Sequence, residues 1–377
     1  MKNQNTALFV LVLVCSAVII LSGVVDLSVG DNYTILDARH YIRIAEEMPD
    51  ISGKIEHPFA YRIFGSVLAT LLPFDLTTNF LLLQTIAGFL LAFACYYFLT
   101  KTGFSPLYSL TGSLILLFSK KVFPRLMWDF YQINDTVAAI FYFLIFAELV
   151  SQRRMWLISI YLGISLLARE AGVIILPVLM LSFYLKDKKV TPTYILPLVL
   201  PVLVFVLLRV FIQDSGNADY FTLLLRYLNY KAESPLIFIY AVLSTFTPFW
   251  LLLIFDFKKN LLLLKKKPEY ILLVLLSMIM LLFAAEVGRL LIIAFPAYLY
   301  VLLNILRDYF GEKPEGRDLI FLVVILFIAF LSIINSRHGL IPLPFEKLET
   351  LYQVSLSILV LIIVFLKGRK SSILSLD

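Results

Sequence analysis

Charge is scarce in this chain of 377 residues: Asp, Glu, Lys and Arg together make up 15%, against 61% hydrophobic residues and a mean hydropathy of +0.92. That deficit excludes a soluble globular fold, because so much apolar surface has no core large enough to hold it. Cysteine is almost absent. Cys15 and Cys95 both fall inside apolar stretches, which excludes a disulfide framework and a cysteine metal cluster and leaves the redox compartment open. The sequence has no Gly-rich phosphate cradle, no metal-ligand spacing and no Ser/His/Asp set, which argues against ATP-driven work. It also lacks internal repeats, low-complexity tracts, the alternating pattern of a membrane barrel and any stretch fit for a soluble domain. A single integral membrane domain over residues 1–377 is the expectation.

What is present is a series of Leu-, Ile-, Val- and Phe-rich segments of helical length, so the predicted fold is an all-α polytopic transmembrane bundle. The net charge of +6 does not point to nucleic acid, since the basic residues sit in short clusters at the ends of apolar segments. Clusters at Arg153-Arg154, Lys186 to Lys189, Lys258-Lys259, Lys265 to Lys267, Arg307 to Arg317 and Lys367 to Lys370 are assigned to the cytoplasm by the positive-inside bias. The spans then run at about 7–25, 78–99, 104–118, 136–151, 155–168, 171–185, 193–212, 235–255, 271–286, 290–306, 319–336 and 351–366. That makes about twelve crossings with both termini inside. The first segment lacks a small-x-small cleavage site and is read as an uncleaved span. The first outer loop covers about 26–77, and the parity requires residues 58–74 not to cross. Arg62, Ser66 and Thr70 recur there at every fourth position, which predicts an interfacial helix with a polar face.

Two apolar stretches, 155–185 and 271–306, are too long for one crossing and are broken by Arg169-Glu170 and by Glu286-Val-Gly-Arg289. A charge at the bilayer centre costs about 2.5–3.5 kcal/mol even on the lenient insertion scale, so both breaks are expected to face one protein-lined site at the outer side. The plainer alternative is a pair of structural ion pairs. Glu170 and Glu286 would then neutralise the arginines beside them, Glu286 and Arg289 at i, i+3 spacing.

In the first outer loop, within 35–48, Tyr41, Ile44, Ala45 and Met48 form an apolar stripe, with Arg39, Arg43 and Glu47 opposite, which predicts an amphipathic helix lying on the membrane. Asp37 stands at its start, in phase with the stripe, and is either an N-cap or a carboxylate turned toward the packed side. The run Asp37-Ala-Arg-His-Tyr41-Ile-Arg-Ile-Ala45, followed by His57-Pro-Phe-Ala-Tyr-Arg62-Ile-Phe-Gly, resembles the first outer loop of GT-C glycosyltransferases. Ala168-Arg169-Glu170 and Glu286-Val-Gly-Arg289-Leu-Leu-Ile-Ile-Ala-Phe-Pro296 are similar to later segments of that group. The resemblance implies a polytopic enzyme that transfers a sugar from a polyprenyl-phosphate carrier to a lipid- or glycan-borne hydroxyl. It implies a loop acid as catalytic base, at Asp37 or Asp31; no Asp-x-Asp pair is present.

The chemistry of such a transfer asks for a base and for fixed cations around the leaving phosphate. Arg289, Arg169 and the outer cluster Lys120, Lys121 and Arg125 are the candidate cations. Glu286, Glu170, Arg62, His57 and Asp129 are candidates for supporting roles, Asp129 as a sugar ligand between Trp128 and Tyr131. Asp135, ahead of an apolar span, is read as a helix cap. No cofactor is predicted beyond the lipid-linked co-substrate, with a divalent metal left open. Rival readings are a surface-polysaccharide polymerase and a transporter or flippase of lipid-linked sugars, whose discontinuous helices would surround a central site. The expected location is the plasma membrane of a prokaryote.

Overall fold

The computed structural model describes residues 2–22, 38–48, 59–151, 154–189, 191–211, 220–282, 287–334 and 346–367. All regular structure among them is helical. The N-terminal part comprises α1 (Lys2–Leu21), α2 (Ala38–Glu47), α3 (Phe64–Thr70), α4 (Leu76–Lys101), α5 (Pro106–Leu117) and α6 (Phe123–Trp128). The middle comprises α7 (Ile133–Ser151), α8 (Met155–Ala168), α9 (Ile175–Asp187), α10 (Pro192–Phe211), α11 (Tyr220–Glu233), α12 (Pro235–Thr245) and α13 (Trp250–Phe255). The remainder comprises α14 (Phe257–Lys265), α15 (Pro268–Leu282), α16 (Val287–Leu291), α17 (Phe295–Phe310), α18 (Arg317–Ile334) and α19 (Glu346–Lys367).

Among the described residues, six stretches are long and apolar enough to cross a membrane: Gln4–Leu21, Leu76–Lys101, Phe130–Ser151, Val287–Phe310, Arg317–Ile334 and Leu348–Lys367. The chain is therefore a multi-pass integral membrane protein. Where the sequence predicts about twelve crossings, most of the other apolar helices fall short of full length, while α10 has 20 residues and carries Pro197 and Pro201 inside it. α8, with 14 residues, is about 21 Å long against a hydrocarbon core of about 30 Å. Phe130–Ser151 and Val287–Phe310 are 83% and 94% buried, so α7 and α17 form the centre of the bundle and the other long helices face outward.

Local chemistry sets the helix ends. Asp75 caps α4, accepting from the Thr78 amide at 3.0 Å and from the Thr78 hydroxyl at 2.6 Å, and these two bonds, the hydroxyl's first, hold its carboxyl below the usual range. Ser105 caps α5, with Pro106 in the first turn where no amide donor is needed. Gly311, at φ 83°, ends α17 in a backbone conformation that a side chain would disfavour.

Side-chain contacts sort the helix ends into two groups. At one end the Tyr108 hydroxyl donates to the Gly311 carbonyl at 2.6 Å, Lys367 pairs with Asp318 at 2.9 Å, and Lys259 pairs with Asp308. These contacts bring together the starts of α5 and α18, the ends of α17 and α19, and α14. At the other end Ser332 donates to the Phe118 carbonyl at 3.1 Å and Lys120 pairs with Glu349, joining the end of α18 and the start of α19 to the turn after α5.

The first-loop elements pack on the protein. Tyr41, Ile44 and Ala45 of α2 are buried as the stripe requires, and Ser66 of α3 donates to the Tyr41 carbonyl at 2.9 Å. α3 has seven residues, too few to cross. The predicted polar face is divided: Arg62, just before α3, and Ser66 are buried, while Thr70 is exposed together with Leu71 and Phe74 beyond the helix. The reason is that Arg62 and Ser66 find their partners inside the protein, and a buried polar group is tolerated where it is paired.

Candidate functional site

The first turn of α7 carries the centre of the site. Asp135 is 1% exposed, and its carboxylate lies between two arginines that reach it from the two helix breaks. Arg169, in the extended link between α8 and the 3₁₀ turn Glu170–Ile174, places Nη1 against Oδ1. Arg289 of α16 places Nη1 3.2 Å from Oδ2. The same Arg289 nitrogen donates to Gln132 Oε1, and Gln132 Nε2 donates to Asp129 Oδ2 at 3.0 Å. Asp129 also accepts from the Tyr131 amide at 3.2 Å, which fixes the turn Phe130–Gln132 leading into α7.

A second pair lies alongside. Arg62 makes a two-pronged contact with Glu170, Nε to Oε2 at 2.8 Å and Nη2 to Oε1 at 2.5 Å. Asn134 ties this pair to α7 from the position beside Asp135: its Nδ2 donates to the Arg62 carbonyl at 2.8 Å and its Oδ1 accepts from the Gly65 amide at 2.7 Å. Arg62, Arg169 and Arg289 are each under 10% exposed. Each guanidinium carries more N–H donors than one carboxylate oxygen satisfies, and Arg169 Nε is buried without a hydrogen-bond partner among the described residues. The cluster is thus rich in donors, packed in a low-dielectric setting, with three guanidinium groups facing the carboxylates of Asp135 and Glu170.

The partners differ from those nearest in sequence. Glu170 neutralises Arg62 in place of Arg169, and Arg169 and Arg289 both turn to Asp135. Asp135 is a buried counter-ion where the sequence suggests a cap. The basic cluster that the sequence reading assigns to the outer side is divided. Lys120 is buried against Glu349, Arg125 stacks its guanidinium 4.9 Å from the Trp128 ring centre, and the Lys121 side chain is exposed. The Lys121 carbonyl nevertheless adjoins the Arg289 turn, lying 2.6 Å from where a Cβ on Gly288 would stand. Asp31, Asp37, His57 and Glu286 lie outside the described residues.

Gln132, Asn134 and Asp135 were not singled out as site residues by sequence reasoning. The signal is visible: four of the five positions Gln132-Ile-Asn-Asp-Thr136 are polar, and they lead into a helix that is otherwise apolar and central. Among the described residues no three His, Cys, Asp or Glu side chains converge in a way that would hold a metal. No protein-family model matches the chain, and no curated protein matches it.

Proposed function

We propose that this chain is a membrane glycosyltransferase of GT-C-like plan, taking its sugar from a polyprenyl-phosphate donor and passing it to a lipid- or glycan-borne hydroxyl on the outer face. The observation that supports the reading is the convergence of Arg169 and Arg289 on one buried point, from helix breaks over a hundred residues apart, with Arg62 beside them. The reading keeps the arrangement of about twelve crossings, which puts this cluster outside by the positive-inside bias.

In the proposed reaction the acceptor oxygen attacks the anomeric carbon, its proton passes to a loop carboxylate (Asp37 or Asp31), and the bond from that carbon to the phosphate oxygen breaks. The lipid phosphate leaves with the bonding electrons. Arg289 and Arg169 stabilise the charge that develops on it, a role that suits planar, two-pronged donors in a site shielded from water. The helix breaks also fit a transporter of lipid-linked sugars, so the deciding assay must separate transfer from movement. Purified protein in nanodiscs, given polyprenyl-phosphate sugars and lipid acceptors, is expected to release polyprenyl phosphate in step with glycosylated acceptor. Donor crossing liposome membranes uncleaved would overturn the transferase reading in favour of the transporter.

A further inference from the structure

Far from the arginine cluster in sequence, α14 turns outward a face that is both apolar and cationic. Five lysines fall within residues 258–267, alongside Phe257 and the run Leu261 to Leu264. Phe257, Leu261 and Lys265 follow one another at every fourth position along one exposed line, with Lys258 and Leu262 exposed beside it. Asn260 and Leu263 point inward and are buried. Within 257–268 there is no acidic residue; Asp256 just before is buried, and Glu269 just after stands 4.0 Å from Lys267. The outward charge of Lys258, Lys265 and Lys266 therefore has no counter-charge in its own segment.

What the inward side holds fixes the depth of this helix. Lys259 pairs with Asp308, and the Tyr309 hydroxyl donates to Asp256 at 3.3 Å, so both contacts fall in the last turn of α17. Asn260 donates to the Leu253 carbonyl at 2.8 Å and ties α14 to α13, whose Phe255 ring lies 6.0 Å from that of Phe365 near the end of α19. The apolar stretches Val287–Phe310 and Leu348–Lys367, both long enough to cross a membrane, end at these contacts. α14 thus lies where two spans leave the bilayer. At that level exposed Phe and Leu side chains reach the acyl layer, and lysines beside them lay their stems along it and lift their ammonium groups to the headgroups.

We propose that α14 is a binding site for anionic phospholipid, with Lys258, Lys265 and Lys266 on the headgroup phosphates and Phe257 and Leu261 in the acyl layer. A lysine close to an anionic lipid surface adds about fivefold in affinity, so three of them distinguish an anionic lipid from a zwitterionic one. Bound lipid also braces the end of α17 through Lys259 and Asp256, and α17 continues from the turn that carries Arg289. The site uses no residue of the arginine cluster and does not depend on the transferase reading.

The test is lipid retention by the purified full chain, read by native mass spectrometry with phosphatidylglycerol and with phosphatidylcholine of the same acyl chains. The parent should prefer phosphatidylglycerol by about tenfold or more. Lys258→Gln, Lys265→Gln and Lys266→Gln together should remove most of that preference and leave phosphatidylcholine retention within about twofold. Lys101→Gln, Lys186→Gln and Lys313→Gln together take the same charge from exposed positions on other elements and should keep the preference. Without added lipid both sets should unfold at the parent temperature; phosphatidylglycerol should raise that temperature for the parent and the control set but not for the α14 set. In nanodiscs a spin label on Leu261→Cys should be reached more readily by oxygen than by a water-soluble nickel chelate, as a side chain in the acyl layer is. Equal loss in the two sets, an unchanged preference in the α14 set, a label reached mainly by nickel, or a second copy of the chain retained in place of lipid would overturn the proposal.

Discussion

Asp135 pairs with both Arg169 and Arg289, so its removal takes away a counter-charge that two buried cations share. Breaking a buried pair from one side costs about 3–5 kcal/mol. Asp135→Asn should therefore lower the unfolding temperature sharply, and adding Arg169→Gln should restore part of the loss, because the excess charge is then reduced. Additive losses in thermal unfolding of the single and double variants would show that the two side chains are not coupled. Arg289→Lys keeps the charge facing Asp135 but gives up the planar fork. It should unfold near the parent temperature while single-turnover transfer and donor affinity both fall. An unchanged rate would remove Arg289 as the phosphate ligand and move that role to Arg169.

At the scale of elements, the site depends on how closely the turn after α5 approaches α16. Gly288 permits that approach: a Cβ there would meet the Lys121 carbonyl at 2.6 Å and the Lys121 Cβ at 3.0 Å, and backbone cannot swing aside as a side-chain tip can. Gly288→Ala should cost about 1–3 kcal/mol of stability, the usual range for forcing extra volume into a packed contact. Gly163→Ala in α8, where nothing lies within 4 Å of the added carbon, is the matched control and should not destabilise. Equal unfolding temperatures for the two variants would mean that the contact between the turn and α16 does not constrain the fold. Asn134 acts between elements in the same way, joining the segment before α3 to α7 through two hydrogen bonds. Asn134→Ala would strand the Gly65 amide, at about 1–3 kcal/mol for a buried donor left unpaired.

For the whole molecule, the sorting of helix ends into two groups makes the orientation testable. Lys188, Lys266 and Leu71 are all exposed, and on the proposed topology cysteines replacing the first two report the cytoplasmic side and one replacing Leu71 the outer side. The native Cys15 and Cys95 are buried and should stay silent to a bulky reagent. A membrane-impermeant maleimide applied to intact cells is expected to label Leu71→Cys, and to label the other two only after permeabilisation. Labelling of the Lys188 and Lys266 positions from opposite sides would break the arrangement of about twelve crossings and with it the outer placement of the arginine cluster.

The class of molecule is legible in the chain alone, because 61% hydrophobic residues in helix-length runs have no stable home outside a membrane. It also located both helix breaks, since an Arg or Glu amid long apolar runs is visible without a structure. Which charge meets which was decided only by tertiary structure. Arg169 and Glu170 are neighbours in sequence, yet Arg169 has extended backbone, φ −155° and ψ 125°, and Glu170 begins a 3₁₀ turn. Side chains leaving such a junction diverge, one toward Asp135 on α7 and the other toward Arg62 before α3. Periodicity assigns a residue to a face of its own helix; it does not say which helix packs there. The partners of Arg169, Arg289 and Glu170 lie 34, 154 and 108 positions away, and only the packing of α3, α7, α8 and α16 brings them within reach.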